Sequence, residues 1–260
     1  MGLSYSSYLR LEELLALQKP VSEGPEHDET LFIVIHQVYE LWFKQILHEL
    51  KLLQLAMENG HTPIISRILK RVLTILKTLV VQIDVLETMS PVSFASFRER
   101  LETASGFQSI QFRELEFVLG HRRRAIVDSL PQDSAAQQRL LRLLGRPSLY
   151  DSFLRYLALF GYPIPDEVLN RDLAQPHRES PAVQESLLEI YRHDPGALQV
   201  CELMVDLDEG LQEWRYRHAV MVERTIGGKN GTGGSDGAAY LRSTVGKPLF
   251  PDLWAIRSAL

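Results

Sequence analysis

Two long apolar stripes of helical period constrain this chain more than any other feature. From Asp28 to Asn59 apolar side chains recur at Leu31, Phe32, Ile35, Val38, Leu41, Trp42, Ile46, Leu50, Leu53 and Met57. Steps of three and four gather these residues on one helical face, which must be buried against another element. The period returns from Ile64 to Met89, with Lys70, Arg71 and Lys77 on the outer side. Asn59-Gly60-His61 lies between the two runs and predicts a tight turn, hence an antiparallel pair. Asp28 is the expected cap of the first helix, and Pro91 blocks continuation of the second. A third long helix is predicted from Gly196 to Ile226. Shorter helices are expected over 107–120, 134–145 and 148–160. Residues 161–182 hold Pro163, Pro165, Pro176 and Pro181, which predict a loop with a short helix inside. No alternating strand pattern and no repeat is visible. The expected fold class is all-α, a bundle of long helices in a single domain over 1–260.

Composition bounds the function. Hydrophobic residues make up 45% of 260 residues, enough to bury a core. A net charge of −5 argues against a nucleic-acid partner, because phosphate binding needs a basic surface. The basic run His121-Arg122-Arg123-Arg124 is read as a solvated helix end. No apolar run is long enough for a membrane span, and the first twenty residues, with Arg10, Glu12 and Glu13, offer no signal-peptide stretch. One cysteine, Cys201, cannot form an internal disulfide and is expected to be a buried structural thiol. A cytoplasmic protein without membrane or nucleic-acid partners is expected.

Three residue types carry candidate chemistry. His218 falls in step with Met204, Leu207, Leu211, Trp214 and Val222. A histidine on such a stripe is either a satisfied core residue or a neutral imidazole ligand for metal or haem iron. Its flank, Trp214-Arg215-Tyr216-Arg217-His218, sets two arginines beside the histidine, which suits a cofactor with carboxylates, such as haem propionates. His36 shares a helical face with Phe32, and is either core packing or a polar group in an apolar pocket. Arg98 follows Phe94 by four residues; its planar fork suits a carboxylate if it faces a pocket. Residues 227–237 contain six glycines. They follow a helix and lack a Gly-Lys-Ser/Thr ending, so a mobile lid fits better than a phosphate loop. Glu58-Asn59-Gly60-His61 sits in the predicted turn, so it does not support a di-metal carboxylate bundle. Serine-hydrolase and zinc-protease motifs are absent.

Five ordered blocks carry a resemblance. They are Tyr5-Ser-Ser-Tyr8-Leu9; HDETLFIVIHQVYELWFKQILHEL at 27–50; PVSFASFRERLETASGFQSIQFRELE at 91–116; WRYRHAVMVERTIGGKNGTGGSDG at 214–237; and Phe250-Pro251-Asp252-Leu253. Over essentially its whole length the chain resembles the tryptophan 2,3-dioxygenase family. The resemblance implies a haem b, ferrous in the active state, with His218 as proximal ligand and Ser105 and Gly106 beside it. It makes His36 the distal histidine that accepts a hydrogen bond from the substrate indole. Phe32 would wall the indole pocket, Arg98 would hold the substrate carboxylate, and Thr232 would contact its amino-acid group as a loop closes. Phe94 stands where some members have tyrosine, so no hydroxyl reaches the carboxylate from that position. Tyr5, Tyr8 and Leu9 would enter a neighbouring subunit of a homotetramer. The implied reaction joins L-tryptophan and dioxygen to give N-formyl-L-kynurenine, the opening step of tryptophan degradation. A related haem oxygenase acting on a modified indole is the alternative.

Overall fold

The computed structural model describes residues 2–24 and 26–260. The amino-terminal part forms α1 (Tyr5–Leu9), α2 (Leu11–Leu15), α3 (His27–Glu58), α4 (Thr62–Leu86) and α5 (Pro91–Arg98). The middle forms α6 (Ile110–Val118), α7 (Arg124–Asp128), α8 (Ala135–Leu144), α9 (Leu149–Leu159) and α10 (Asp166–Leu169). The rest forms α11 (Pro181–His193), α12 (Pro195–Ile226), α13 (Ala238–Arg242) and α14 (Pro251–Ala255), with short 3-10 turns between. No strand occurs among the described residues, so the all-α class holds.

The three long helices form as their periods predict. α4 lies between α3 and α12 and packs extensively on both. It can do so because nine of its side chains are buried, from Ile65 through Ile68, Leu69, Val72, Ile75, Leu76, Leu79 and Ile83 to Leu86. Full burial of each such side chain contributes about 1.5–3 kcal/mol before entropy is counted. The Tyr39 hydroxyl of α3 donates to the Leu79 carbonyl of α4 at 2.8 Å. Burial pushes that phenol up to about 12, so it stays a donor. α3 ends at Glu58 with Asn59 as its cap, followed by Gly60 with φ of 67°, as a left-handed helix stop requires.

Several local expectations change. α3 begins at His27, so Asp28 lies in its first turn and is not the cap. Glu29 secures the entry, its carboxylate accepting from the backbone N–H of Val21 at 2.7 Å and of Ser22 at 3.1 Å. Pro91 ends nothing in isolation: it opens α5, where Ser90 caps the N–H of Ser93 at 3.0 Å. α11 was hidden by the prolines around it, although Pro181 sits at its first turn and Val183, Leu187 and Ile190 form a buried stripe. α12 starts where Asp194 accepts from the N–H groups of Gly196 and Ala197, at 2.9 and 3.0 Å. Cys201 is buried on α12, and burial pushes its thiol up to about 12.

The basic run 121–124 is not solvated. Arg122 is buried and donates to the carbonyls of Phe117 and Leu144, both at 3.2 Å, and to those of Arg146 and Leu173. It ties together three chain segments, the ends of α6 and α8 and the stretch around Leu173, that would otherwise leave buried carbonyls unpaired. Arg123 turns inward to Glu116. Only Arg124 is exposed, paired with Asp128.

A candidate active site between three helices

One large cavity opens between α3, α4, α12 and the segments after α5 and α12. About 1570 Å³ lies between its walls, the solvent at its mouth included. Its interior is mostly apolar, with Phe43, Ile83, Leu86, Met89, Phe112 and Met221 among the lining side chains. An apolar hollow with a few placed polar groups is the usual form of a small-ligand site.

Two histidines contribute to it from different helices. His36, on α3, has its Nδ1 2.7 Å from the Phe32 carbonyl. A carbonyl can only accept, so Nδ1 carries the proton and Nε2 keeps a free lone pair. Burial holds this imidazole below its ordinary pKa, and the opposing pulls of the Phe32 carbonyl and Glu40 do not restore it. His218, on α12, stacks on Trp214, with centroids 5.2 Å apart and planes at 14°. It is enclosed except where it meets the cavity. Burial, with repulsion from His36, pushes its pKa down to about 4. Its ring nitrogens make no hydrogen bond among the described residues. A neutral imidazole with a free nitrogen on an apolar cavity is what an axial iron ligand must be.

The aromatic corner of the cavity is built from α3 and α5. Phe32 lies 4.1 Å from the His36 ring, 5.7 Å from Phe94 and 5.6 Å from the buried Phe97. Arg98 closes α5 and lines the cavity; its Nη2 donates to the backbone carbonyl of Asn230. The glycine-rich segment folds over this edge. Gly231 N–H donates to the Ser235 carbonyl at 2.9 Å, and the Thr232 hydroxyl donates to the Ala104 carbonyl at 2.7 Å. Gly233 packs so closely on Ser105 that an added Cβ would stand 2.7 Å from the Ser105 Cβ. Ser105 and Gly106 are wall residues here.

Phe32, His36, Phe94, Arg98, Ser105, Gly106, His218 and Thr232 therefore meet around one cavity. Tyr5, Tyr8 and Leu9 do not. Tyr5 and Tyr8 are 76% and 69% exposed on α1, which buries no residue of its own. Arg217 also departs from expectation. It reaches Asp84 and Glu87 on the α4 side and does not line the cavity. Arg215 does line it, together with Arg113, Glu116, Phe107 and Tyr240. The importance of those last four was not read from the sequence. Arg113 and Glu116 share a helical face, which was the one available signal.

The sequence profile of the family described as tryptophan 2,3-dioxygenase matches residues 1–141 and 191–260. Proteins named tryptophan 2,3-dioxygenase are similar along their full length. One from Herpetosiphon aurantiacus is 59% identical, covering 100% of this chain and 99% of that protein. One from Anaeromyxobacter dehalogenans is 58% identical, covering 100% and 97%. One from Caulobacter vibrioides is 44% identical, covering 99% and 98%.

Proposed function

Because this chain belongs to the tryptophan 2,3-dioxygenase family, we propose that it opens the indole ring of L-tryptophan with dioxygen to give N-formyl-L-kynurenine. The enzyme is a dioxygenase, and the reaction begins tryptophan breakdown. Both oxygen atoms enter the product: one at indole carbon 2, which becomes the formyl group, and one at carbon 3, which becomes the ketone. The family is haem-dependent, and the residues of this chain fit a haem. His218 offers a neutral imidazole with no hydrogen-bond partner among the described residues, and the cavity walls it faces are mostly apolar. When bound, haem supplies the activation of dioxygen. His218 would hold the iron, with Ser105 and Gly106 along the cofactor.

The protein's own residues then position the substrate. His36 Nε2 accepts the indole N–H, since its other nitrogen is committed to the Phe32 carbonyl. Phe32 and Phe94 flank the ring. Arg98 exchanges its Asn230 carbonyl for the substrate carboxylate, forming a charge-assisted pair. The Thr232 hydroxyl, now on the Ala104 carbonyl, is the nearby group that can serve the substrate's ammonium or carboxylate. Phe94 has no hydroxyl, so Arg98 carries more of the carboxylate recognition than it would beside a tyrosine. Holding both ends of the amino acid is the entropic contribution to rate. Folding residues 227–237 over the mouth excludes water.

We read the assembly as a homotetramer in which Tyr5, Tyr8 and Leu9 enter a neighbour. The support is apolar surface without cover: Leu3, Leu15 and Leu17 are exposed beside them. No helix among the described residues is long and apolar enough to cross a membrane, and a cytoplasmic setting belongs to this reading.

The observation that carries the proposal is the pair of neutral histidines facing one cavity from separate helices, with Arg98 at its rim. The test is turnover of L-tryptophan in isotopically labelled dioxygen, followed by mass spectrometry. Two labelled oxygens in N-formyl-kynurenine are expected. A single labelled oxygen on an intact indole would favour a monooxygenase acting on indoles, and no turnover with a full haem spectrum would refute the substrate.

A further inference from the structure

A second hollow adjoins the cavity where α4 turns into α5 against the end of α12. About 500 Å³ lies between its walls, the solvent at its mouth included. Glu87, Thr88 and Ser90 line it from the α4–α5 turn, and Arg224 lines it from α12. Met89 and Thr225 line both this hollow and the large cavity, so their side chains form the partition between the two spaces. Thr225 stands two helical turns beyond His218 on the same side of α12, about 10 Å along its axis.

The outer hollow is poorly suited to hold a polar ligand, because its polar groups are already spent. The Glu87 carboxylate accepts from Arg224 Nη1 at 3.3 Å and from Arg217 Nη2 at 3.5 Å. The Thr88 hydroxyl donates to the Val85 carbonyl at 2.7 Å. The Ser90 hydroxyl caps α5 and lies 2.9 Å from the Ser93 hydroxyl. The partition, by contrast, is apolar. The Thr225 hydroxyl donates to the Met221 carbonyl at 2.8 Å, which leaves its methyl group as the part free to face another side chain. Met89 is buried, as are Leu86 and Met221 on the cavity side. The Met89 N–H is fixed on the Leu86 carbonyl at 3.1 Å, so the backbone holds still while the unbranched thioether swings about its own bonds. Water would surrender hydrogen bonds to cross such a partition. A small apolar molecule has none to lose.

In the reaction above, tryptophan and the folded loop at 227–237 cover the main mouth, yet both substrates must be inside together. We propose that dioxygen enters the closed site through this second hollow, with the Met89 side chain as its gate. The inference rests on the dioxygenase reading above. Opening the gate needs a change of side-chain rotamer alone, so dioxygen passes without the loop lifting and tryptophan escaping.

The test is carbon monoxide rebinding to the ferrous holoenzyme after a laser flash, with and without saturating L-tryptophan. Carbon monoxide matches dioxygen in size and in its lack of hydrogen bonds to lose. With tryptophan bound, Met89→Phe should slow bimolecular rebinding by about tenfold, equivalent to about 1.4 kcal/mol on the barrier. Met89→Ala should speed it. Thr88 is exposed and lines the outer hollow without lining the large cavity, so Thr88→Trp plugs the route from outside and should slow rebinding as Met89→Phe does. Without tryptophan the main mouth is open, and the variants should rebind at the wild-type rate. Wild-type rebinding in either Met89→Phe or Thr88→Trp with tryptophan bound would overturn the passage. So would equal slowing with and without tryptophan, which marks a damaged site and not a blocked route. A wild-type protein with no carbon monoxide spectrum would instead overturn the haem reading itself.

Discussion

Replacing Gly233 with alanine should impair tryptophan binding through a single methyl group. The glycine's φ lies outside the left-handed region, so the backbone tolerates alanine. The space does not. The new Cβ would stand 2.7 Å from the Ser105 Cβ and 3.0 Å from its hydroxyl, and 3.6 Å from the Phe107 Cβ. Ordinary contact begins near 3.4 Å, so the loop must lift from the cavity edge by a large part of an ångström. Overpacking of this kind costs about 1–3 kcal/mol. If closure and binding are coupled, that energy weakens tryptophan binding roughly five- to a hundredfold at about 1.4 kcal/mol per decade. The assays are steady-state KM and limited proteolysis at Lys229 with and without L-tryptophan. Gly233→Ala should raise KM and lose substrate protection, and Ser105→Gly in the same chain should recover most of both. Gly228→Ala, which meets nothing within 4 Å, should leave KM unchanged. A Gly233→Ala enzyme with wild-type KM and full protection would refute a closing loop seated on Ser105.

His218→Ala should abolish haem retention, read as loss of the visible haem spectrum after gel filtration. Arg98→Ala should raise the tryptophan KM by about ten- to a hundredfold, with much smaller effects on indoles lacking a carboxylate, since a hydrogen bond to a charged group contributes about 1.5–3 kcal/mol. His36→Ala should keep measurable turnover, because an orienting acceptor is worth less than the hundred- to ten-thousandfold of a general base. Because burial lowers the His36 pKa, its acceptor nitrogen should persist as pH falls through the ordinary histidine value, leaving KM flat there. Deleting residues 2–9 should reduce activity and weaken the oligomer in sedimentation while leaving the haem spectrum intact.

The sequence and the structure agree where one physical signal dominates. Long stripes determine α3, α4 and α12, because burying a continuous apolar face leaves little choice. α11 shows the opposite case: the loop expected over 161–182 ran as far as Pro181 and no helix was assigned after it, yet Pro181 at a first helical turn costs nothing. The basic run at 121–124 misled because a charged side chain is usually solvated. Arg122 instead satisfies four carbonyls and Arg123 pairs with Glu116. Neither outcome is visible without the partners, which lie at 117, 144, 146, 173 and 116. The cavity residues named beforehand came from family blocks. Periodicity alone left His36 and His218 between core packing and a ligand or pocket role, and nothing in the spacing linked Arg113 to Arg215 across a hundred residues of chain.

The distance between the two histidines is not set by either of them. His36 belongs to α3 and His218 to α12, and α4 lies against both. Its girth at Leu79, Ile83 and Leu86, and the Tyr39 bond to the Leu79 carbonyl, act as a spacer gauge for the slot in which cofactor and substrate must fit together. Divergence among relatives can therefore retune what the slot admits by trading methyl groups on α4, where Ile83 and Leu86 face the cavity and no residue carries a catalytic role. The catalytic groups would stay the same while the gap between them changed.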